Sequence, residues 1–209
     1  MKQLYLLQNK IKKEIKTMKR IGTRVITDPV RGSFLHLLEK YASKPGRDPQ
    51  YSGMFLVPKS NTKLVKLLVE AIEEAKKSGA DTKWGGKVPK KLNVPLHDGD
   101  EDKDIEEYPE YEGMLYFNAN AKKRKPGLVD NHGVEIFDEE AFKSGDYFKL
   151  DINFYPYSGE QNGIAVGLNN VMWWKEGEAL GGGKVSAEKA FEGEFDDDDE
   201  DDDDDGMFD

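Results

Sequence analysis

The chain has 209 residues, enough for one domain with extensions, and its 37% hydrophobic and 34% charged content describes a polar protein whose 3 Trp, 9 Tyr and 10 Phe can still build a core. It contains no cysteine, so disulfides, thiolate-ligated zinc and thiol catalysis are excluded and a reducing compartment, the cytoplasm, is the expected location. The net charge of −10 is unevenly spread: 13 acidic and no basic residues fall in Glu192–Asp209, and nine acidic residues and one lysine in Asp98–Glu112, leaving 30 basic against 19 acidic elsewhere, a net of +11.

Residues 1–20 are lysine-rich, with Leu4, Leu7, Ile11, Ile15 and Met18 at helical spacing, and are expected to form a basic amphipathic extension. Met18 opens a second plausible start, so the first 17 residues are expected to be dispensable. "IGTRVITDPV" (21–30) and "GSFLHLL" (32–38) read as strands, and "YSGMFLVPKS" (51–60) as a third that Pro58 stops. From Asn61 a helix is expected, capped by Ser60 or Asn61, striped by Leu64, Leu67, Leu68, Ala71, Ile72 and Ala75, and ended by Ser78-Gly79. "KWGGKVPKKLNVPLHDGD" (83–100), broken by Gly and Pro, reads as a long loop that the acidic stretch continues. "GMLYFNANA" (113–121) is a strand running into "KKRKPG", and "LVDNHGVEIF" (128–137) a hairpin turning at Asn131-His132-Gly133. "DYFKLDINFYPYS" alternates, with Phe148, Leu150, Ile152 and Phe154 on one face and Tyr147, Lys149, Asp151, Asn153 and Tyr155 on the other. "NGIAVGLNNVMWW" is the last strand, and "GEALGGGKVSAEKAF" a flexible connection to the acidic end. Six or seven short strands and one good helix, without βαβ alternation, favour a small barrel or sandwich with a helical plug.

The catalytic and metal patterns fail on inspection. His36, His97 and His132 are scattered; Asp98, Asp100 and Asp102 begin like a calcium loop, but Lys103 and Pro109 stand where glycine and glutamate are required. "EALGGGKV" lacks the first glycine and the Ser/Thr of a phosphate-binding loop, having Glu178 and Val185 there. No enzyme, cofactor or metal is therefore expected. The nucleic-acid signal is fuller: Lys122, Lys123, Arg124 and Lys125 follow the strand bearing Tyr116 and Phe117, and Trp84 stands among Lys83, Lys87, Lys90 and Lys91. Cations interleaved with aromatics suit a single strand, whose phosphates need diffuse positive charge and whose unpaired bases need flat faces. The face carrying Tyr147, Lys149, Asn153, Tyr155 and Tyr157 is expected to form a second stacking platform.

"FLVPKSNTKLVKLLVEAIEEAK" (55–76), "KWGGKVPKKLNVPLHDGDE" (83–101), "FNANAKKRKPGLVD" (117–130), "INFYPYS" (152–158) and "GIAVGLNNVMWWKEGEALGGG" (163–183) occur in order at natural spacing. Through these stretches the chain resembles the family of small bacteriophage single-stranded DNA-binding proteins. The resemblance implies a mainly β oligonucleotide/oligosaccharide-binding (OB) fold, a five-stranded barrel with appended strands and helix, over residues 21–180, with a linker and disordered acidic tail over 181–209. It also implies non-catalytic coating of single-stranded DNA in phage replication, recombination and repair, in the bacterial host cytoplasm. The DNA-binding residues expected are Trp84, Lys87, Lys90, Lys91, Tyr116, Lys122, Lys123, Arg124, Lys125, Tyr155 and Tyr157. Expected partners are single-stranded DNA, duplex DNA more weakly, a second copy of the chain, and a polymerase, helicase or primase held through Met207 and Phe208; no membrane is expected. The rival readings are an acidic-tail interaction protein or DNA mimic binding a host factor, and a metal-dependent nuclease.

Overall fold

Long strands with apolar residues at every second position form the frame of the protein. In a computed structural model, residues 18–138 and 141–180 are described. Residues 1–17 of the expected N-terminal helix, residues 181–191 of the expected connection and the acidic tail with Met207 and Phe208 lie outside them; Lys19 and Arg20, expected to end that helix, instead begin a strand. The elements in chain order are β1 (Lys19–Ile21), β2 (Arg24–Ile26), β3 (Val30–Tyr41), β4 (Gln50–Pro58), α1 (Thr62–Thr82), β5 (His97–Asp98), a one-turn α2 (Gly99–Asp102), a 3-10 turn (Pro109–Tyr111), β6 (Met114–Ala121), β7 (Gly127–Val129), β8 (Tyr147–Tyr157) and β9 (Gly163–Lys175).

Five of these strands close a ring. β3 pairs antiparallel with β4, β4 with β6, and β8 with both β3 and β9, while β6 and β9 meet in parallel through Asn120 and Gly167. Numbering only the ring strands in chain order, the circuit runs 1-2-3-5-4-1, which is the OB-fold barrel. Closure removes most free sheet edges. The β1–β2 hairpin extends the barrel by pairing β2 with β8, and β7 runs parallel to β9.

The alternation read in β8 holds: Phe148, Leu150, Ile152 and Phe154 are all buried in the core, where Phe148 meets Phe55 edge to face and Phe55 lies 5.9 Å from Phe117. Its opposite face is closed only in the middle, where side chains of neighbouring strands cover Lys149 and Asp151, while Tyr155 stays exposed toward its end. Arg24 donates to both carboxylate oxygens of Asp151 at 2.7 Å, Asn170 donates to the same carboxylate, and Lys149 is buried with its Nζ 4.7 Å from the Trp174 ring centroid. Burial pushes the Asp151 carboxyl up, but the hydrogen bonds from Arg24, Asn170 and Asn169 and the Arg24 charge outweigh it and leave the group below its ordinary value.

Helix α1 is capped as expected, Asn61 Oδ1 accepting from the Leu64 N–H, and Leu64, Leu68, Ala71, Ile72 and Ala75 are buried. It does not stop at Gly79 but runs to Thr82. Gly79 serves packing instead of termination, since the Trp84 ring and Pro156 occupy the space a Cβ would need. The hairpin expected over 128–137 forms as a short one, with Val129 bridged to Glu135, Asp130 N–H donating to Val134 O and Ile136 N–H to Leu128 O, while the other edge of β7 pairs with β9. Asp130 Oδ1 organises its turn by accepting from the backbone N–H groups of His132 and Val134. Among the described residues, no helix is long and apolar enough to cross a membrane.

Candidate nucleic-acid interface

Alternation along β6 sends Phe117 and Ala119 into the core and Tyr116, Asn118 and Asn120 to the outside, ahead of exposed Lys122. This outer face divides into a covered half and an open half. At the covered end Tyr116 and Leu56 lie beneath Tyr111, with Met54, Ile105 and Met114 around them. The cover is the acidic stretch, which the charge pattern presented as solvated loop. Its folding was hidden by the charges: Ile105 and Tyr111 supply an apolar underside, and Lys59 of the β4 end bridges Asp98 and Asp100 at 2.5 and 2.7 Å. The hydrogen bond from Lys59, then that from the Gly113 N–H, holds the Asp100 carboxyl below its usual value. Lys103 lies 5.4 Å from the Tyr116 ring centroid and 5.1 Å from that of Tyr111.

Tyr116 therefore sits inside a cluster. Its ring stacks on His97 with centroids 5.1 Å apart, and its O–H donates to Asp102 Oδ2 at 3.2 Å. Burial, then the Asp102 charge and hydrogen bond, pushes its phenol up to about 12. Among the described residues, no group of three His, Asp or Glu side chains is placed to hold a metal ion.

The open half carries a groove of about 770 Å³. Its lining brings Lys122, just past β6, together with Tyr155 and Tyr157 of β8, and adds Arg47 and Asp48 from the β3–β4 connection, Gln50 at the start of β4, Asn93 from the loop after α1, His97 of β5, and Asn118 and Asn120. Tyr155 is 39% exposed and its phenol is raised, first by burial of its oxygen and then by the neighbouring Tyr157. Asn93 Nδ2 donates to the Tyr157 hydroxyl at 3.0 Å, so the loop fixes that ring. A second open groove of about 580 Å³ continues past the first, sharing Arg47, Gln50, Asn118 and Asn120 and reaching β3.

The remaining sequence candidates do not line the groove. Lys123, Arg124 and Lys125 are exposed on the turn after β6, and Lys87, Lys90 and Lys91 on the loop after α1. That loop returns to the barrel where Asn93 N donates to Asn162 O and Ile164 N to Asn93 O. Trp84 is half-buried, its ring against Gly79 and its Nε1–H donating to the Tyr157 carbonyl at 3.2 Å. Sequence reasoning missed Arg47 and Gln50, whose polar connection carries no motif; the length of the β3 apolar run and the Gly46 turn were the available signals.

A closed barrel with a polar, tyrosine-lined groove carrying Arg47, Asp48 and Lys122 across its outer strands defines the class: an OB-fold module built like those that hold oligonucleotides. Residues 23–205 match the model of the family described as Enterobacter phage Enc34, ssDNA-binding protein, and the chain belongs to this family. It is 32% identical over 149 residues to protein p50 of Acyrthosiphon pisum secondary endosymbiont phage 1, covering 68% of this chain and 78% of that one. It is similar in structure to the single-stranded DNA-binding protein of bacteriophage Enc34 in complex with ssDNA, with a TM-score of 0.67, 25% identity and coverage of 78% and 96% of the two chains. The fold is also shared with gp2.5, a single-stranded DNA-binding protein of bacteriophage T7, at TM-score 0.54, 16% identity and coverage of 87% and 97%.

Proposed function

We propose that the protein binds single-stranded DNA non-catalytically and without strong sequence preference, the strand crossing the barrel through the groove lined by Lys122, Tyr155 and Tyr157. The observation that carries this reading is the convergence of those three residues with Arg47 on the outer face of β6, between the β3–β4 and β8–β9 connections, where OB-folds take oligonucleotides. Tyr155 and Tyr157 offer faces to bases, Lys122 and Arg47 meet phosphates, and Asn118 and Asn120 form a polar floor. Trp84 acts as a positioning residue by holding the end of β8 that carries Tyr157. Tyr116 and its acidic cover close one end of the track, and Lys87, Lys90, Lys91, Lys123, Arg124 and Lys125 add diffuse attraction.

In this reading residues 21–180 are the binding domain and 181–209 a linker and tail. The tail aspartates compete with DNA, and Met207 and Phe208 dock on a replication partner such as a polymerase, helicase or primase. The protein would coat and protect strands exposed during phage replication, recombination and repair in the host cytoplasm, with duplex bound more weakly. Intrinsic tryptophan fluorescence, titrated with oligo-dT and with duplex DNA for the full chain and for residues 1–191, tests this. Tighter or equal binding of oligo-dT on removing the tail is expected; absence of oligo-dT binding by both forms would overturn the reading and favour a DNA mimic acting through its acidic segments.

A further inference from the structure

Phe34 is, among the described residues, the non-glycine residue whose φ is positive, at 48°, a region that a bulky L-residue rarely occupies. Its ring is also 66% exposed. It lies where the register of β3 against β4 shifts between Ser33 and His36, an irregularity that re-aims the side chain out of the strand's alternation. Neither the strained backbone nor the wet ring stabilises the free barrel. Both acquire a use if a flat apolar group covers the ring.

The surroundings indicate which group. Two residues on, His36 stacks on Tyr41 with centroids 4.2 Å apart and planes 12° from parallel. Phe34, His36 and Tyr41 line the second groove, and its shared wall with the first carries Arg47 and the amides of Gln50, Asn118 and Asn120. A cation between two aromatic-lined hollows matches the repeat of a single strand, in which one phosphate separates two bases. We propose that Phe34 is a base-stacking residue of a second subsite, in which a nucleobase lies on its ring beside the His36–Tyr41 stack after the strand has passed Arg47. This rests on the DNA-binding reading and extends the track from β8 and β6 across β4 to β3. Stacking tolerates any base, so the subsite lengthens the footprint without imposing a sequence.

The full chain, its Phe34→Gly and its Phe34→Trp variants are titrated with oligo-dT of about 16 nucleotides, the upper end of the footprint of one OB-fold. Glycine accepts the positive φ freely, so Phe34→Gly should melt at or above the temperature of the parent while binding DNA about tenfold more weakly, and Phe34→Trp should retain affinity. A structural role for the ring predicts a lower melting temperature instead. Photo-cross-linking to oligonucleotides carrying 5-iododeoxyuridine should place an adduct in the tryptic peptide Gly32–Lys40. Unchanged affinity in Phe34→Gly, or cross-links only to other peptides, would overturn the subsite while leaving the first groove standing. Failure of the parent protein to bind any oligo-dT would instead overturn the binding reading itself.

Discussion

The groove cations set a response to salt that can be calculated before it is measured. Each phosphate neutralised on a single strand contributes about −0.7 to the slope of log affinity against log salt. Arg47 and Lys122 both line the groove and are both exposed, so on the proposed path Arg47→Gln with Lys122→Gln would remove two phosphate contacts and leave the core untouched. The slope should become shallower by about 1.4, so that over a tenfold rise in salt the parent loses about 25-fold more affinity than the double variant. The matched control is Lys66→Gln with Lys77→Gln, on the solvent side of α1, where the side chains are 76% and 75% exposed and paired only within the helix. It changes net charge equally but should leave the slope near that of the parent. Fluorescence titrations from about 0.05 to 0.5 M salt measure all three proteins. Equal slopes for the groove variant and the helix control would mean that the groove carries no phosphates, and the proposed path would be wrong.

Gly79→Ala should destabilise by about 1–3 kcal/mol, outweighing the roughly 1 kcal/mol of helix propensity gained, because the new Cβ would lie 2.5 Å from Trp84 Cζ3 and 2.8 Å from Pro156 Cβ. Denaturant unfolding and a red-shifted tryptophan emission would register it, and DNA affinity should fall as Tyr157 loses its anchor. Asp151 has a depressed folded-state value, so its stabilisation is present above the unfolded carboxylate value of about 3.9 and is lost as pH falls through the folded one; Asp151→Ala should lower stability at neutral pH and flatten the acid limb of a pH–stability curve. Tyr116 behaves with the opposite sign: with its phenol at about 12, its contribution is present below the unfolded value of about 10 and lost as pH rises toward the folded one. Tyr111 and Tyr155 are raised as well, so Tyr116→Phe should reduce, not abolish, the latest-titrating phenolate absorbance, and an unchanged amplitude would assign that step elsewhere.

What could be read from the sequence depended on whether a residue's environment was local. The stripe of α1, its Asn61 cap and the inward set of β8 follow from spacing alone, and the structure places them so. The groove partners Lys122, Tyr155 and Tyr157 were legible as residue types, cation and aromatic, but their meeting depends on β6 and β8 reaching one another around β9, which no local pattern encodes. The closed middle of the outer face of β8 was missed for the same reason. Alternation shows that Lys149 and Asp151 point away from the core, but not that β2 pairs alongside with Arg24 reaching Asp151, nor that Trp174 packs on Lys149. Phe34 was invisible because an exposed phenylalanine in a strand sequence looks like one more core residue until its φ is known.

The acidic stretch gains a different meaning from its position. A solvated loop of nine acidic residues would repel DNA in every direction, weakening a basic groove to no purpose. Pinned by Lys59 and seated on Leu56 and Tyr116, the same charges occupy one end of the outer face of β4 and β6, while Lys122 stands at the other. The face therefore presents a gradient, negative over Tyr116 and positive beyond Asn120. On the proposed path, a strand entering by Tyr155 and Tyr157 would be repelled from the covered end and drawn past Arg47 toward β3, the side where Phe34 and the His36–Tyr41 stack lie open. On that path the cover would supply direction as well as a boundary. Replacing Asp102, Asp104, Glu106 and Glu107 with Asn or Gln should raise overall affinity but spread photo-cross-links onto the peptides around Tyr111 and Tyr116. If cross-links stay confined to the groove and the Phe34 peptide, apolar burial alone sets the track's end and the charges are incidental to it.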